Sequence, residues 1–258
     1  MIDLYDYSLL TVFLIGVAVI LGAIEIGRRL GARGGDGESD IASMLAGAAL
    51  GLLALMIGFT FAMALSRFEA RRDAVLKEAN AIGTTALRAR MMPEIQQREV
   101  LSLLQDYVKI RLDITQRLLT EAELRSAIDR SNALQEKLWQ QAMAAAVTNP
   151  AVVPTGLFIQ TLNEMIDDQE TRLTALRNHV PDIVIVALFG VAATAGAFAG
   201  YASVVETRRA VLAVYFMGLL VTGVIMLILD LDRPTAGFIA VSQQPIIDTA
   251  ISIAAFPR

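Results

Sequence analysis

The sequence predicts an all-α membrane protein in which two pairs of transmembrane helices flank an antiparallel helical-bundle domain. Four long apolar runs, two towards each end of the chain, predict the membrane helices. Each run is close to the ~20 residues that a helix needs to cross a hydrocarbon core of about 30 Å. Residues 66–180, between the two pairs, carry 15 Lys/Arg and 15 Asp/Glu and are typical of a water-exposed helical domain.

The first pair occupies residues 1–65, with helices expected at about 9–26 and 41–65. The tail before the first run contains no Lys or Arg, whereas a signal peptide begins with a positively charged region, so we expect a retained helix. The glycine-rich connection GARGGDGESD breaks the helical pattern. Ser39 and Asp40 at its end are residue types that cap helices, and we expect one of them to cap the second helix.

The second apolar run carries no charged residue, but it does carry a stripe of small residues. Spacings of three and four place these residues on one side of a helix: Gly47, Gly51, Ala54, Gly58 and Ala62. The third run contains a second pair of glycines four residues apart, Gly196 and Gly200. Because small residues let membrane helices approach closely, we expect both stripes to be packing surfaces, within or between protomers, with pore lining as the alternative.

Residues 66–180 contain four amphipathic helices joined by short connections. The first continues the second apolar run without a breaker and stops before Pro93, which suits the first turn of the next helix. The third covers about Glu121–Val147 and stops at Pro150, and the fourth covers about Pro154–Asn178. Short connections place consecutive helices antiparallel, so we expect a bundle.

Residues 181–230 form the second pair, with helices expected at about 183–205 and 210–229, and residues 231–258 are expected to be a C-terminal interfacial tail. No ionisable residue lies in the middle of any run, where ion-coupled carriers and proton relays usually place one. The polar groups at these depths are hydroxyls: Ser43, Thr60, Thr194 and Thr222. This composition argues against an active transporter and leaves a passive pore or a protein that transports nothing.

Composition excludes several kinds of chemistry. The chain has no cysteine and one histidine, His179, which removes thiolate sites, histidine triads and multi-histidine zinc sites within one chain. No phosphate-binding loop or metal motif accompanies the carboxylates, so we expect no enzyme, no cofactor and no metal site. The net charge of −4 and the lack of a basic stripe with interleaved aromatic residues exclude nucleic acid as a partner.

Two groups of charged residues lie where the second and fourth runs leave the membrane, and the number of crossings places both on one membrane face. We name them together the charged collar, and its candidate residues are Arg67, Glu69, Arg71, Arg72, Glu78, Asn80, Arg88, Asp230, Asp232 and Arg233. A carboxylate beside an apolar run is costly unless it is paired, and Arg71 or Arg72 is the expected partner of the two aspartates. The charged collar is therefore expected to be either a salt-bridged anchor or a charged pore mouth.

Basic residues in the short loops indicate an orientation. The two loops between paired helices hold five of them: Arg28, Arg29, Arg33, Arg208 and Arg209. The positive-inside rule places such loops in the cytoplasm and the helical domain outside it. Other basic residues border the helical domain and favour the opposite orientation: Arg67, Arg71, Arg72, Lys77, Arg172 and Arg177. Because long domains obey the rule weakly, we expect an extracytoplasmic helical domain.

Two stretches, EARRDAVLKEANAIGTTALRAR and LDLDRPTAGFIAVSQQP, resemble the bestrophin-like family of bacterial four-helix membrane proteins of unknown function. The resemblance covers nearly the whole chain and implies two helices, a helical domain and two further helices. The matching positions are Glu78, Ala79, Asn80, Ile82 and Arg88 in the first stretch, and Leu231, Asp232, Arg233, Pro234 and Gly237 in the second.

The family's name implies kinship with bestrophins, which are pentameric anion channels. By this analogy the chain is expected to form a homo-oligomeric passive channel for inorganic ions in the lipid bilayer of the cell (inner) membrane. The sequence shows no counterpart of the aromatic-rich pore neck or the acidic calcium clasp of bestrophins. The alternative is a non-transporting membrane scaffold or sensor whose helical domain binds a partner.

Overall fold

A computed structural model describes most of the chain: residues 5, 7–33, 36–116, 120–148, 152–205, 208–234 and 237–256. These residues contain helices and no strand, which confirms the all-α class. The predicted helix stop at Pro150 lies outside the described residues. The eight α-helices of the described part are α1 Leu9–Gly31, α2 Asp36–Ala89, α3 Glu94–Gln116, α4 Glu121–Thr148, α5 Val152–Arg177, α6 Asp182–Ala202, α7 Arg208–Asp232 and α8 Gln244–Ala254.

Four helical segments are long and apolar enough to cross a membrane, as the sequence predicts, and they belong to α1, α2, α6 and α7. Ser8 caps α1, where its hydroxyl accepts a hydrogen bond from the Thr11 amide at 3.1 Å. The predicted cap of the next membrane helix is wrong, because α2 already begins at Asp36 and contains both Ser39 and Asp40. Ser39 instead donates to the carbonyl oxygen of Ala202 at 3.4 Å.

The longest helix, α2, has 54 residues and runs without interruption from Asp36 to Ala89. This confirms that the second apolar run continues directly into the helical domain. The chain divides into two compact units, and α2 contributes to both. Unit 1 consists of Met1–Phe68, His179–Arg233 and Gly237–Ile239, and unit 2 consists of Glu69–Asn178, Pro234–Ala236 and Ala240–Arg258.

In unit 1, α1 packs along α6 and α7. The approach of α1 to α6 requires glycine, because a Cβ at Gly27 would lie 1.9 Å from the carbonyl oxygen of Ala197. A Cβ at Gly200 would likewise lie 2.2 Å from the carbonyl oxygen of Ile24. Close backbone contact of this kind lets membrane helices gain van der Waals attraction where the lipid supplies no hydrophobic driving force.

In unit 2, the second half of α2 lies in one core with α3, α4, α5 and α8. An apolar stripe on α2 is buried at Val75, Ala79, Ile82 and Ala86, as expected for an amphipathic helix of the domain. α3 packs against α4 and α8, and α4 packs against α5. The sequence did not predict α8, which buries Ile246 and Ile253 in this core within the segment expected to be an interfacial tail.

Candidate functional site

A buried carboxylate, Glu78, lies at the centre of unit 2. Its position on the buried stripe of α2 leaves the side chain with no exposed surface. Arg111 of α3 donates to it through Nε at 2.6 Å, and Arg172 of α5 donates through Nη1. The hydroxyl of Tyr107 lies 3.1 Å from Glu78 Oε1. One carboxylate therefore joins three helices of the domain.

Amide side chains extend this group into a network. The Tyr107 hydroxyl lies 3.0 Å from Gln169 Oε1, so its single proton serves either Glu78 or Gln169. Arg172 Nη2 donates to Gln243 Oε1 at 2.7 Å, which ties the segment before α8 to α5. We name the set the Glu78 cluster, and its members are Glu78, Tyr107, Arg111, Gln169, Arg172 and Gln243.

The electrostatics of the Glu78 cluster favour a fixed charge. Burial by itself raises the pKa of Glu78, but the guanidinium groups of Arg111 and Arg172 outweigh it, so the pKa lies below its ordinary value. Burial, together with the neighbouring Glu78 carboxylate, raises the pKa of Tyr107 well above its ordinary value. Glu78 is thus ionised and Tyr107 neutral near neutral pH. This arrangement suits a structural ion pair better than a proton relay.

Other candidates on α2 have different surroundings. Arg88 Nη1 donates to the carbonyl oxygen of Leu157 at 2.6 Å and so ties the end of α2 to α5. Arg71 is buried, whereas the Arg72 side chain is 67% exposed and lies 3.8 Å from Asp73. The candidates Glu69 and Asn80 are exposed as well, and Arg67 is half-buried.

In unit 1, Asp230 binds backbone amides. Its Oδ1 accepts from the amide of Phe238 at 2.7 Å and its Oδ2 from the amide of Ile239 at 3.0 Å. A Cβ at Gly237 would lie 2.6 Å from Asp230 Oδ1 and 2.8 Å from the Asp230 carbonyl oxygen, so this bend requires glycine. The Asp230 carboxylate thus satisfies the backbone amides of Phe238 and Ile239 directly after this glycine.

Asp232 and Arg233 fasten the same end of α7 to the rest of unit 1. Asp232 Oδ2 accepts from the amide of Val180 at 2.6 Å and also from the hydroxyl of Tyr5. Burial and the bond to Asp232 raise the pKa of Tyr5, so this hydroxyl keeps its proton. Arg233 Nη2 donates to the carbonyl oxygen of Tyr7 at 2.6 Å. These bonds hold the start of α6 and the segment before α1 against the end of α7.

The charged collar as one assembly of ten residues stays a prediction, as does the pairing of Arg71 or Arg72 with the aspartates. Sequence reasoning missed five members of the Glu78 cluster: Tyr107, Arg111, Gln169, Arg172 and Gln243. A signal was present for two of them. Arg111 follows Tyr107 by four residues and Arg172 follows Met165 by seven, so each arginine lies on the apolar face of its helix.

No three His, Asp or Glu side chains come together within the described residues. The buried carboxylates of the described residues are Glu78 in unit 2 and Asp230 and Asp232 in unit 1. Each has hydrogen-bond donors of its own. The arrangement can therefore anchor helices and present charge.

Comparison with known proteins identifies relatives of the whole chain. A family model, the bestrophin-like domain, matches residues 10–246. A crystal structure of a bacterial bestrophin homologue from Klebsiella pneumoniae is similar, with a TM-score of 0.65 at 16% identity over 95% of this chain and 95% of that chain. A variant of that homologue gives a TM-score of 0.68 at 14% identity over 96% of this chain and 99% of that chain. Curated protein sequences give no match.

Proposed function

Because the chain belongs to the bestrophin-like family, whose domain spans residues 10–246, we propose that this membrane protein is an oligomeric passive ion channel. By analogy with bestrophins, anions are the ions that it conducts. We place it in the cell (inner) membrane as a multi-pass protein and assign it no catalytic role.

The small-residue stripe on α2 is the observation that carries the proposal. Gly47, Gly51 and Gly58 are exposed, and a Cβ built at any of them meets no atom of the described residues within 4 Å. The glycines Gly27 and Gly200 differ, because a Cβ at either would collide with the facing helix. Small residues in membrane helices mark surfaces of close contact. A second copy of the chain, or a pathway enclosed by several copies, accounts for the stripe.

Passive conduction is favoured by the polar groups of the membrane helices. The hydroxyls of Thr60, Thr194 and Thr222 each donate to a carbonyl oxygen one turn earlier in their own helix, at 2.8, 2.9 and 2.8 Å. Such hydroxyls are satisfied internally and offer little to a tightly bound ion. Because residues 41–65 carry no charge, a pathway along α2 would be narrow and apolar, and wetting and dewetting would gate it.

Anion selectivity would arise where α2 leaves the apolar run. Arg72 is exposed there, and a ring of arginines from several copies favours anions. Glu69 and Asp73 are exposed nearby and oppose this preference. We therefore expect Arg72→Glu to lower the permeability of chloride relative to sodium, measured as a reversal potential under a salt gradient.

The orientation follows from the basic residues of the short loops. Arg28 and Arg29 lie in the last turn of α1, Arg33 follows it, and Arg208 and Arg209 begin α7, and these basic residues support a cytoplasmic position for both connections. The helical domain would then be extracytoplasmic. Reporter fusions in the connection between α1 and α2 and near residue 150 test this, since opposite sides are expected for the two sites.

Ion flux from liposomes tests the channel directly. Reconstituted protein should dissipate a chloride gradient, and Gly51→Leu should reduce this flux several-fold and change the oligomer measured by light scattering. Gly190→Leu in α6 is the matched control, because a Cβ at this exposed glycine also meets nothing within 4 Å in the described residues. If both substitutions change the flux and the oligomer equally, the stripe on α2 does not explain conduction or assembly.

If the reconstituted protein gives no flux of anions or cations at several pH values, the channel proposal is contradicted. The alternative, a non-transporting scaffold or sensor, would gain support from a second protein that co-purifies in fixed proportion after mild crosslinking. A pure oligomer that conducts chloride would exclude that alternative as the main role.

A further inference from the structure

A small cavity lies inside unit 2, between α2, α5 and the segment that leads into α8. Its volume is about 60 Å³. Liquid water occupies about 30 Å³ per molecule, so the cavity has room for two waters or one small inorganic ion. Its size excludes a nucleotide or a lipid chain.

The walls of the cavity are cationic. Arg71 and Arg172 both line it, and they are only 3% and 1% exposed. The other lining residues in the described part of the chain are apolar, apart from Gln243, and include no carboxylate. Two buried guanidinium groups beside this small, partly open cavity attract an anion, because their protein surroundings screen charge less than bulk water does.

Arg172 has an unused donor at this place. Its Nη1 binds Glu78 and its Nη2 binds Gln243, whereas its buried Nε has no hydrogen-bond partner in the described part of the chain. Gln243 is itself held, since its Nε2 donates to the carbonyl oxygen of Val241 at 3.0 Å. A buried charged donor without an acceptor is costly, and a bound anion would remove that cost.

The charges of the neighbouring Glu78 cluster point the same way. Arg111 and Arg172 share the single carboxylate of Glu78, so these three side chains carry one net positive charge. Their burial prevents water from compensating this charge fully. An anion in the cavity would lie beside Arg172 and balance it.

We propose that this cavity binds one small inorganic anion, phosphate or a halide, held by the guanidinium groups of Arg71 and Arg172. Planar guanidinium groups bind oxyanions through paired hydrogen bonds. The site does not rest on the channel function, since a protein that conducts nothing can bind an ion here.

Equilibrium dialysis of the purified full-length protein against radiolabelled phosphate, in gluconate buffer, tests the site. We expect saturable binding of about one phosphate per chain, with displacement by chloride or sulfate. Arg71→Gln should weaken this binding by about tenfold, the loss expected for one charge-assisted contact. Arg98→Gln changes the protein charge equally at an exposed arginine of α3 and should leave the binding unchanged.

A second variant keeps the charges and narrows the space. Ala240 lines the cavity and is exposed, so Ala240→Leu should weaken phosphate binding while the thermal unfolding midpoint stays near that of the wild type. Absence of saturable binding of both phosphate and chloride would overturn the proposal. Equal phosphate binding by the wild type and Arg71→Gln would also overturn it. The same holds if native mass spectrometry shows a phospholipid bound to the wild type and not to Arg71→Gln, because the occupant would then be a lipid.

Discussion

The two units bury carboxylates in different ways. In unit 2, Glu78 is compensated by full charges, the guanidinium groups of Arg111 and Arg172. In unit 1, Asp230 and Asp232 are compensated mainly by backbone amides and a tyrosine hydroxyl. The first arrangement joins helices distant in sequence, and the second fixes the path of the chain around the end of α7. Buried acids of similar appearance in a sequence can therefore serve as a helix anchor or as a backbone clamp.

The two arrangements respond differently to loss of charge. A neutral side chain at position 78 would leave the buried guanidinium groups of Arg111 and Arg172 without their shared anion. A neutral side chain at position 230 would still accept hydrogen bonds from the same amides. Removal of one partner from a buried ion pair costs more than weakening of an amide hydrogen bond.

The largest effect is therefore expected for Glu78→Gln. It should lower the free energy of unfolding by about 3–5 kcal/mol, because two buried cations lose their counter-charge. Thermal unfolding of the purified protein in detergent measures the change. Glu170→Gln on the exposed side of α5 is the control and should have little effect. A change below about 1 kcal/mol would show that Glu78 is not the anchor of unit 2.

Low pH should remove from the wild type the stabilisation that the ionised Glu78 carboxylate provides. Because the pKa of folded Glu78 lies below its ordinary value of 4.5, its stabilisation is complete above about pH 4.5 and is lost as the pH falls through the folded pKa. The stability difference between the wild type and Glu78→Gln should then shrink below pH 4.5. Unfolding midpoints of both proteins between pH 3 and pH 8 check this (roughly the range in which carboxylates titrate), and a constant difference would contradict it.

The hydrogen bonds that Asp230 and Asp232 accept at the end of α7 are named the clamp, and Gly237→Ala tests it. The added Cβ would lie 2.6 Å from Asp230 Oδ1, so the bend must open, at an expected cost of about 1–3 kcal/mol. Gly83→Ala in α2 is the control, because its Cβ would meet only Thr249 at an ordinary 3.8 Å. That substitution should stabilise the helix slightly. If Gly237→Ala lowers the free energy of unfolding no more than Gly83→Ala does, the clamp tolerates a side chain at position 237.

The smallest effect is expected for Tyr5→Phe. Loss of the hydroxyl removes one hydrogen bond to Asp232 and leaves the Val180 amide in place, which should cost about 1 kcal/mol. Tyr7→Phe is the control, since Tyr7 is 49% exposed and contributes its backbone oxygen to Arg233. The thermal unfolding midpoints of the two variants are compared with that of the wild type. Equal shifts would mean that the Tyr5 hydroxyl does not contribute to the clamp.

Much of the fold could be predicted from local pattern. Apolar run length predicts four membrane helices, and the absence of a breaker after Leu65 predicts that α2 continues into the helical domain. α8 was missed because its 11 residues follow a bend and are short for an amphipathic pattern to be recognised. Length and periodicity are properties of consecutive residues, so the sequence states them directly.

The candidate site could be predicted only in part. Glu78 and Asp232 were found through the charged groups at the exits of the second and fourth apolar runs, and the pairing of the aspartates with Arg71 or Arg72 stays a prediction. The donors that the structure shows for Asp230 are backbone amides, which every residue except proline carries, so no side chain in the sequence marks them.

The class of the protein, its four membrane segments, the continuous second helix and the placement of its charges outside the apolar runs follow from the order of residues alone. The meeting of Glu78 with Arg111 and Arg172, which lie 33 and 94 residues away along the chain, follows from helix packing. That meeting depends on how each helix is rotated and shifted against its neighbours. Packing of the whole core sets both quantities, and no short stretch of sequence contains them.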